Sequence, residues 1–388
     1  MIDLKPDNKI LLILLLITFT GVFPLDVVLP SFPALAVHFA VPLDDVSLSL
    51  SLFVAGFSIA QLLMGPLSDK FGRRKLLLAG LMMAVVGATG AIFTENLYSF
   101  LFFRSLQALG CGCFVLVNAL IQDIYKASDR HKMRILTTTA SGLFISIAPF
   151  MGAILQALGN WPASFVFFSV ITVMLAIASA IWIPKSVTVQ NTSLRATSGI
   201  DLNALSNATF LKGSLLAAIG FSCHFAFIVQ SPILLLDGLS LSQNLFALIL
   251  LCYGIAYLAG GAVARAIQTR VTPEIQMCIG LWMLVIAGAA LTLTSYFVPN
   301  SITAILAPMI ICTCGITILR PAATSAAMDA SGNHAGTAAS LHNAIIFTMG
   351  AIISALVTLA PLAPAFSLSI AFILLGFAGL SIIRLRAA

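Results

Sequence analysis

Basic residues keep to one side of this chain. It carries 19 Lys and Arg, and they sort against an alternating series of twelve apolar segments. Seventeen fall at a terminus or in the even-numbered connections: Lys5, Lys9, Lys70, Arg73, Arg74, Lys75, Lys126, Arg130, Lys132, Arg134, Lys185, Arg195, Lys212, Arg265, Arg270, Arg384 and Arg386. The other two, Arg104 and Arg320, lie inside apolar stretches. Loops on the cytoplasmic side of a membrane accumulate Lys and Arg. The pattern therefore predicts an all-α polytopic membrane protein with both termini in the cytoplasm. It also isolates two intramembrane arginines, each of which needs a reason to exist.

Of 388 residues, 60% are hydrophobic and only 8% charged. A soluble domain cannot cover its surface with so few charges. The net charge of +6 is spread over short loops facing one leaflet, which fits topology and contact with anionic lipid rather than nucleic acid. All seven cysteines lie in apolar segments, so an extramembrane disulfide framework is ruled out. Cys111/Cys113 and Cys312/Cys314 stand two apart, which on a helix points them to different sides. Small-residue packing is expected there, and no metal site. The run Ile10 to Phe23 has the look of a signal peptide, but no small-x-small cleavage site follows and Asp26 interrupts it. It reads as the first spanning helix.

A span needs roughly 20 apolar residues. That ruler predicts helices near 10–36, 45–67, 75–94, 97–122, 134–158, 163–183, 210–236, 243–266, 275–296, 300–328, 334–359 and 364–385. The polar stretch 184–207 divides them into an N-terminal six-helix bundle, 1–183, and a C-terminal one, 208–388. The bundles read as repeats. The fourth and tenth helices each carry an intramembrane Arg and a C-x-C pair, and the second and eighth each end in a Gly-plus-basic connection. Such repeats place a site near mid-membrane, worked by alternating access.

Between the second and third helices runs Gly65-Pro66-Leu67-Ser68-Asp69-Lys70-Phe71-Gly72-Arg73-Arg74-Lys75. This stretch resembles the signature loop of the major facilitator superfamily. Leu25-Asp26-Val27-Val28-Leu29-Pro30-Ser31-Phe32-Pro33 resembles the first-helix D-x-x-x-P-x-x-P pattern of its twelve-helix drug:proton antiporters, and Arg104 to Gly110 their fourth-helix R-x-x-Q-x-x-G. Gly142 to Gly152 is similar to the fifth-helix antiporter motif, with Ala148 and Ala153 in place of glycines. Pro321 to Met328 and Gly336 to Ser340 resemble the bicyclomycin/chloramphenicol-resistance branch. The resemblance implies two pseudo-symmetric six-helix bundles in a bacterial inner membrane, acting as a monomer. It also implies a cytoplasmic gate of Asp69, Arg73, Arg74 and Asp123. There Asp69 faces the start of the eleventh helix near Asn333, and Arg73 pairs with Asp123, latching the halves. The second-half loop has Arg265 where the acid would stand, so the latch is asymmetric.

Asp26 is the only acid in the expected membrane core and the candidate proton site. It lies roughly 24 Å along its helix, and Arg104 enters from the other side by roughly 10 Å, at similar depth. Arg104 can tune Asp26 and touch a ligand, or the two can form a static pair. Substrate candidates are Asp26, Arg104, Gln107, His224, Gln230, Tyr253, Tyr257, Arg320, His342 and Asn343, with Gln61 and Asn118 as further cavity groups. For each His, a packing role competes with a ligand role; for Arg320, snorkelling competes with binding. One Asp, two Arg and two His give a neutral-to-positive cavity, suited to an anionic or zwitterionic small molecule. The expected function is a proton-coupled antiporter exporting a small organic molecule, with no cofactor beyond the proton gradient. The alternative cargo is an endogenous anionic metabolite or carboxylate siderophore. A non-transporting membrane receptor would need an interaction domain that the chain has no segment long enough to form. Enzyme signatures, including a nucleotide-binding loop, are lacking.

Overall fold

The computed structural model describes residues 8–125, 127–184, 207–267, 270–299, 301–330 and 335–384. Every regular element among them is helical. Before the linker come α1 (Asn8–Asp26), α2 (Phe32–Phe39), α3 (Leu43–Phe71), α4 (Arg73–Ile92), α5 (Leu97–Cys111), α6 (Leu116–Ile124), α7 (Ala127–Gly159) and α8 (Pro162–Trp182). After it come α9 (Ala208–Ser231), α10 (Gln243–Ile267), α11 (Pro273–Phe297), α12 (Ile302–Asp329), α13 (Ala335–Leu359) and α14 (Pro364–Arg384). Eleven stretches of the described residues are long and apolar enough to cross a bilayer. The remaining span is α7, whose described apolar portion is Ile147–Gly159. Of the expected linker 184–207, all but its two end residues lie outside the described residues.

Three expected helices are not uniform. The first, expected as one rod over 10–36, leaves α-helix after Asp26, passes through a 3-10 turn at Leu29–Ser31 and resumes as α2. Pro30 explains this. It stands four residues after Asp26, has no N–H to offer the Asp26 carbonyl, and presses its ring against it. Pro33 does the same to Leu29. The fourth helix tightens into a 3-10 segment at Gly112–Val115 before α6. There Gly112 lets α3 in so closely that a Cβ on it would lie 2.2 Å from the Ala60 Cβ. The seventh ends in a π-helical turn, Pro232–Gly238.

Two compact units result. One comprises Met1–Val28 and Gly56–Ile200, the other Leu29–Ala55 and Asp201–Ala388. This departs from the expected halves 1–183 and 208–388, because Leu29–Ala55 gathers with the second. Within that second unit the Leu29–Ser31 turn packs on α10, and α2 packs on the π-helical turn. Ser51 Oγ and Ser354 Oγ are 2.8 Å apart. The proline break is what lets the two pieces of one span belong to different units.

Each unit is held by small residues at its tightest crossing. Membrane helices gain little from burying apolar surface against one another, so close backbone packing substitutes. In the first unit α4 meets α5 through glycines: a Cβ on Gly110 would lie 2.6 Å from the Gly80 carbonyl. In the second, α11 meets α12 the same way, with a Cβ on Gly280 at 2.6 Å from the Gly315 carbonyl. These matched crossings are the structural repeat. They also set the register. Cys111/Cys113 follow Gly110, whereas Cys312/Cys314 precede Gly315, and Arg104 and Arg320 fall on opposite sides of their crossings. The shared Arg and C-x-C content is therefore not positional equivalence.

Candidate functional site

The site in the first unit is built around the end of α1. A helix end leaves its last carbonyls without intrahelical donors. Val27 N–H still reaches the Phe23 carbonyl at 3.1 Å, and the Pro24 carbonyl accepts from Arg104 Nη2 at 3.3 Å. Arg104 Nη1 donates to Gln107 Oε1, one turn on, at 2.7 Å. The guanidinium lies 5.7 Å from the centre of the Phe165 ring, and the side chain is 1% exposed. A cation at a helix C-terminus also complements the helix dipole. Arg104 and Gln107 thus come together, but as a clamp on the broken helix rather than as groups lining an open cavity. Beside them, between Pro24, Val28, Ser164 and Phe168, is a cavity of about 10 Å³, room for a single water.

Asp26 occupies the last position of α1 and is buried, 6% exposed. Among the described residues it forms no hydrogen bond and no ion pair. The expected contact with Arg104 is not made, which removes the static-pair alternative in this arrangement.

The signature loop is placed by one residue. Gly72 alone separates α3 from α4, at φ 91°. That region favours glycine, which explains the glycine of the motif. Arg73 Nε pairs with Asp123 Oδ2 at 3.3 Å and also reaches Ser68 Oγ; Arg74 reaches the Ala180 carbonyl. All of these partners belong to the first unit. The Arg73–Asp123 pair therefore ties α4 to α6 and by itself cannot latch the halves. The side chains of Asp69 and Asn118, and Asn333 entirely, lie outside the described residues. Both members of the pair are partly exposed, so Asp123→Asn lowers stability by no more than about 1 kcal/mol, read by thermal denaturation of the purified protein.

The second unit holds the other expected residues. His224 Nδ1 and the Tyr253 hydroxyl are 2.7 Å apart, with their rings stacked at 5.5 Å. Arg320 Nη1 donates to the Tyr257 hydroxyl at 3.2 Å. His342 is spanned by Ser214 Oγ at 3.0 Å and Thr324 Oγ1 at 3.1 Å, a satisfied packing environment. Gln230 Nε2 donates to Thr358 Oγ1 at 3.2 Å; Asn343 is partly buried on α13. In the first unit Gln61 is fully buried, with neither amide atom partnered among the described residues.

A profile of the Major Facilitator Superfamily matches residues 14–355. The chain belongs to that superfamily. Its members are membrane transporters, so this protein is a multi-pass transporter rather than an enzyme. It is 26% identical over 295 residues to the multidrug transporter MdfA of Shigella boydii, a match covering 74% of this chain and 71% of the relative. It is 25% identical over 338 residues to a chloramphenicol resistance protein of Pseudomonas aeruginosa, covering 85% and 78%. These relatives agree with the drug-exporter branch suggested by the motifs. The fold is shared with solved transporters. A D-xylose-proton symporter superposes with a TM-score of 0.75 at 15% identity, over 97% of both chains. The xylose transporter XylE from E. coli gives 0.73 at 14%, over 97% and 96%.

Sequence reasoning missed the clamp on α1. The Pro24 carbonyl, Ser164 and Phe165 carry no charge to draw attention. The usable signal was the four-residue spacing from Asp26 to Pro30, which ends α1 here and leaves its last carbonyls, Pro24's among them, open to outside donors.

Proposed function

We propose that this superfamily member is a proton-coupled antiporter exporting small organic molecules, with Asp26 as the proton site. One observation carries this: a buried carboxyl at an interior helix end, with no partner among the described residues. An ionisable Asp at the centre of a span costs about 2.5–3.5 kcal/mol on insertion scales and marks a proton or substrate path. Broken helices mark binding sites in transporters for the same reason, since they free backbone polar groups inside the membrane. Arg104 is a positioning residue that holds the break open beneath Asp26. The bundle end bearing both termini faces the cytoplasm, as the basic loops require, and Asp69, Arg73, Arg74 and Asp123 organise the gate there. The relatives named for multidrug transport and chloramphenicol resistance support efflux as the direction.

The test is transport of radiolabelled chloramphenicol by protein reconstituted in liposomes under an imposed pH gradient. Antiport moves drug against the proton flow and stops when a protonophore collapses the gradient. Drug moving with the protons, as in a symporter, overturns the antiport mode. Flux equal to that of protein-free vesicles overturns chloramphenicol as cargo.

A further inference from the structure

Arg320 has surroundings unlike those of Arg104. Its stem lies across Gly220 of α9, where a Cβ would stand 2.8 Å from Arg320 Cγ. The Phe221 ring supports the guanidinium, 5.4 Å away. Close approach of α10 at Gly260, where a Cβ would lie 2.4 Å from Thr317 Oγ1, brings Tyr257 within reach of Nη1. These contacts hold the side chain within the helix bundle, whereas a snorkelling arginine extends along its helix toward the headgroups. The snorkelling alternative is therefore set aside.

What the cradle leaves open is one edge. Nε is buried and has no acceptor. Among the described residues Nη1 alone has one, and no carboxylate pairs with the group. Nε and Nη2 form the side of the guanidinium whose two parallel N–H groups match the two oxygens of a carboxylate. A buried donor without an acceptor is costly, so Nε favours any acceptor brought to it, and Arg320 as a residue is partly exposed rather than sealed. Nearby, the partly exposed rings of Tyr257 and His224 lie 5.8 Å apart, inclined by 54°, with His224 backed by the buried Tyr253 ring.

We propose that the second unit contains a carboxylate-binding subsite: the Nε–Nη2 edge of Arg320 takes the carboxylate of an organic anion, and the angled rings of Tyr257 and His224 take its planar body. The inference rests on the transporter reading for its occupant, a carried molecule, but not on Asp26 as the proton site.

The experiment is calorimetric titration of the purified full-length protein with 1-naphthoate and with its neutral isostere 1-naphthamide. The expected result is a preference of about tenfold or more for the carboxylate in the wild type. Arg320→Gln abolishes that preference, and Arg320→Lys, which keeps the charge but not the fork, loses most of it. Asp26→Asn keeps it. Equal affinity for the two probes, binding of neither, or a full preference in either Arg320 variant overturns the subsite. Thermal denaturation checks that each variant folds; if the Gln variant does not, the Lys variant decides. Absence of proton-driven flux in the wild type, with the preference intact, sinks the antiport reading and leaves the subsite standing.

Discussion

Asp26→Asn abolishes proton-driven transport and leaves the protein folded. The amide fills the same volume but cannot ionise, so the variant binds cargo without exchanging it for a proton. Stability is preserved because there is no ion pair to break. Removing one member of a buried pair is costly, since it strands the other charge, but Asp26 has no such partner among the described residues. Its replacement only lifts a charge out of an apolar setting. The prediction is a melting temperature within a few degrees of wild type together with complete loss of pH-gradient-driven flux in proteoliposomes. Asp26→Glu, which restores a titratable carboxyl one methylene further out, recovers part of the flux. Unchanged flux in the Asn variant removes Asp26 from the mechanism.

The second large effect comes from the glycine crossing of α4 and α5. A Cβ on Gly110 would stand 2.3 Å from the Ala84 nitrogen, and one on Gly87 2.3 Å from the Gln107 nitrogen. Both obstacles are backbone, so no rotamer change relieves them and the helices must separate. Overpacking of this kind costs about 1–3 kcal/mol, and more as the side chain grows. Gly110→Ala is expected to lower stability within that range and Gly110→Val to exceed it, read by thermal denaturation. Gly87→Ala does more than destabilise, because its neighbours are Phe103 and Gln107, which flank Arg104. Pushing α5 away there withdraws the guanidinium from the Pro24 carbonyl, so transport falls further than stability. Gly261→Ala is the control: a Cβ at that position meets nothing within 4 Å, and its effect should be negligible.

The spans were legible because the bilayer imposes a length that hydropathy reads directly. The break at Asp26 was written in its spacing to Pro30, yet an apolar window averages across a proline and sees one rod. The direction of Arg104 was not legible at all. Depth along a helix says nothing of which acceptor a long side chain chooses, and one of its acceptors, the Pro24 carbonyl, is available because it stands in the last turn of a helix that stops. The register of the repeat was not legible for a related reason. Cysteine pairs and arginines are easily seen in a sequence, but the equivalence is carried by Gly80–Gly110 and Gly280–Gly315, ordinary letters until their contacts are known. Arg73 and Asp123 met as expected, although both lie in the same unit.

Among the described residues, the chain passes between the two compact units at Val28–Leu29 and at Ala55–Gly56. The first of these points lies two residues beyond Asp26, so the proline that ends α1 also marks where the chain leaves one folding unit for the other, and a single ring sets both boundaries.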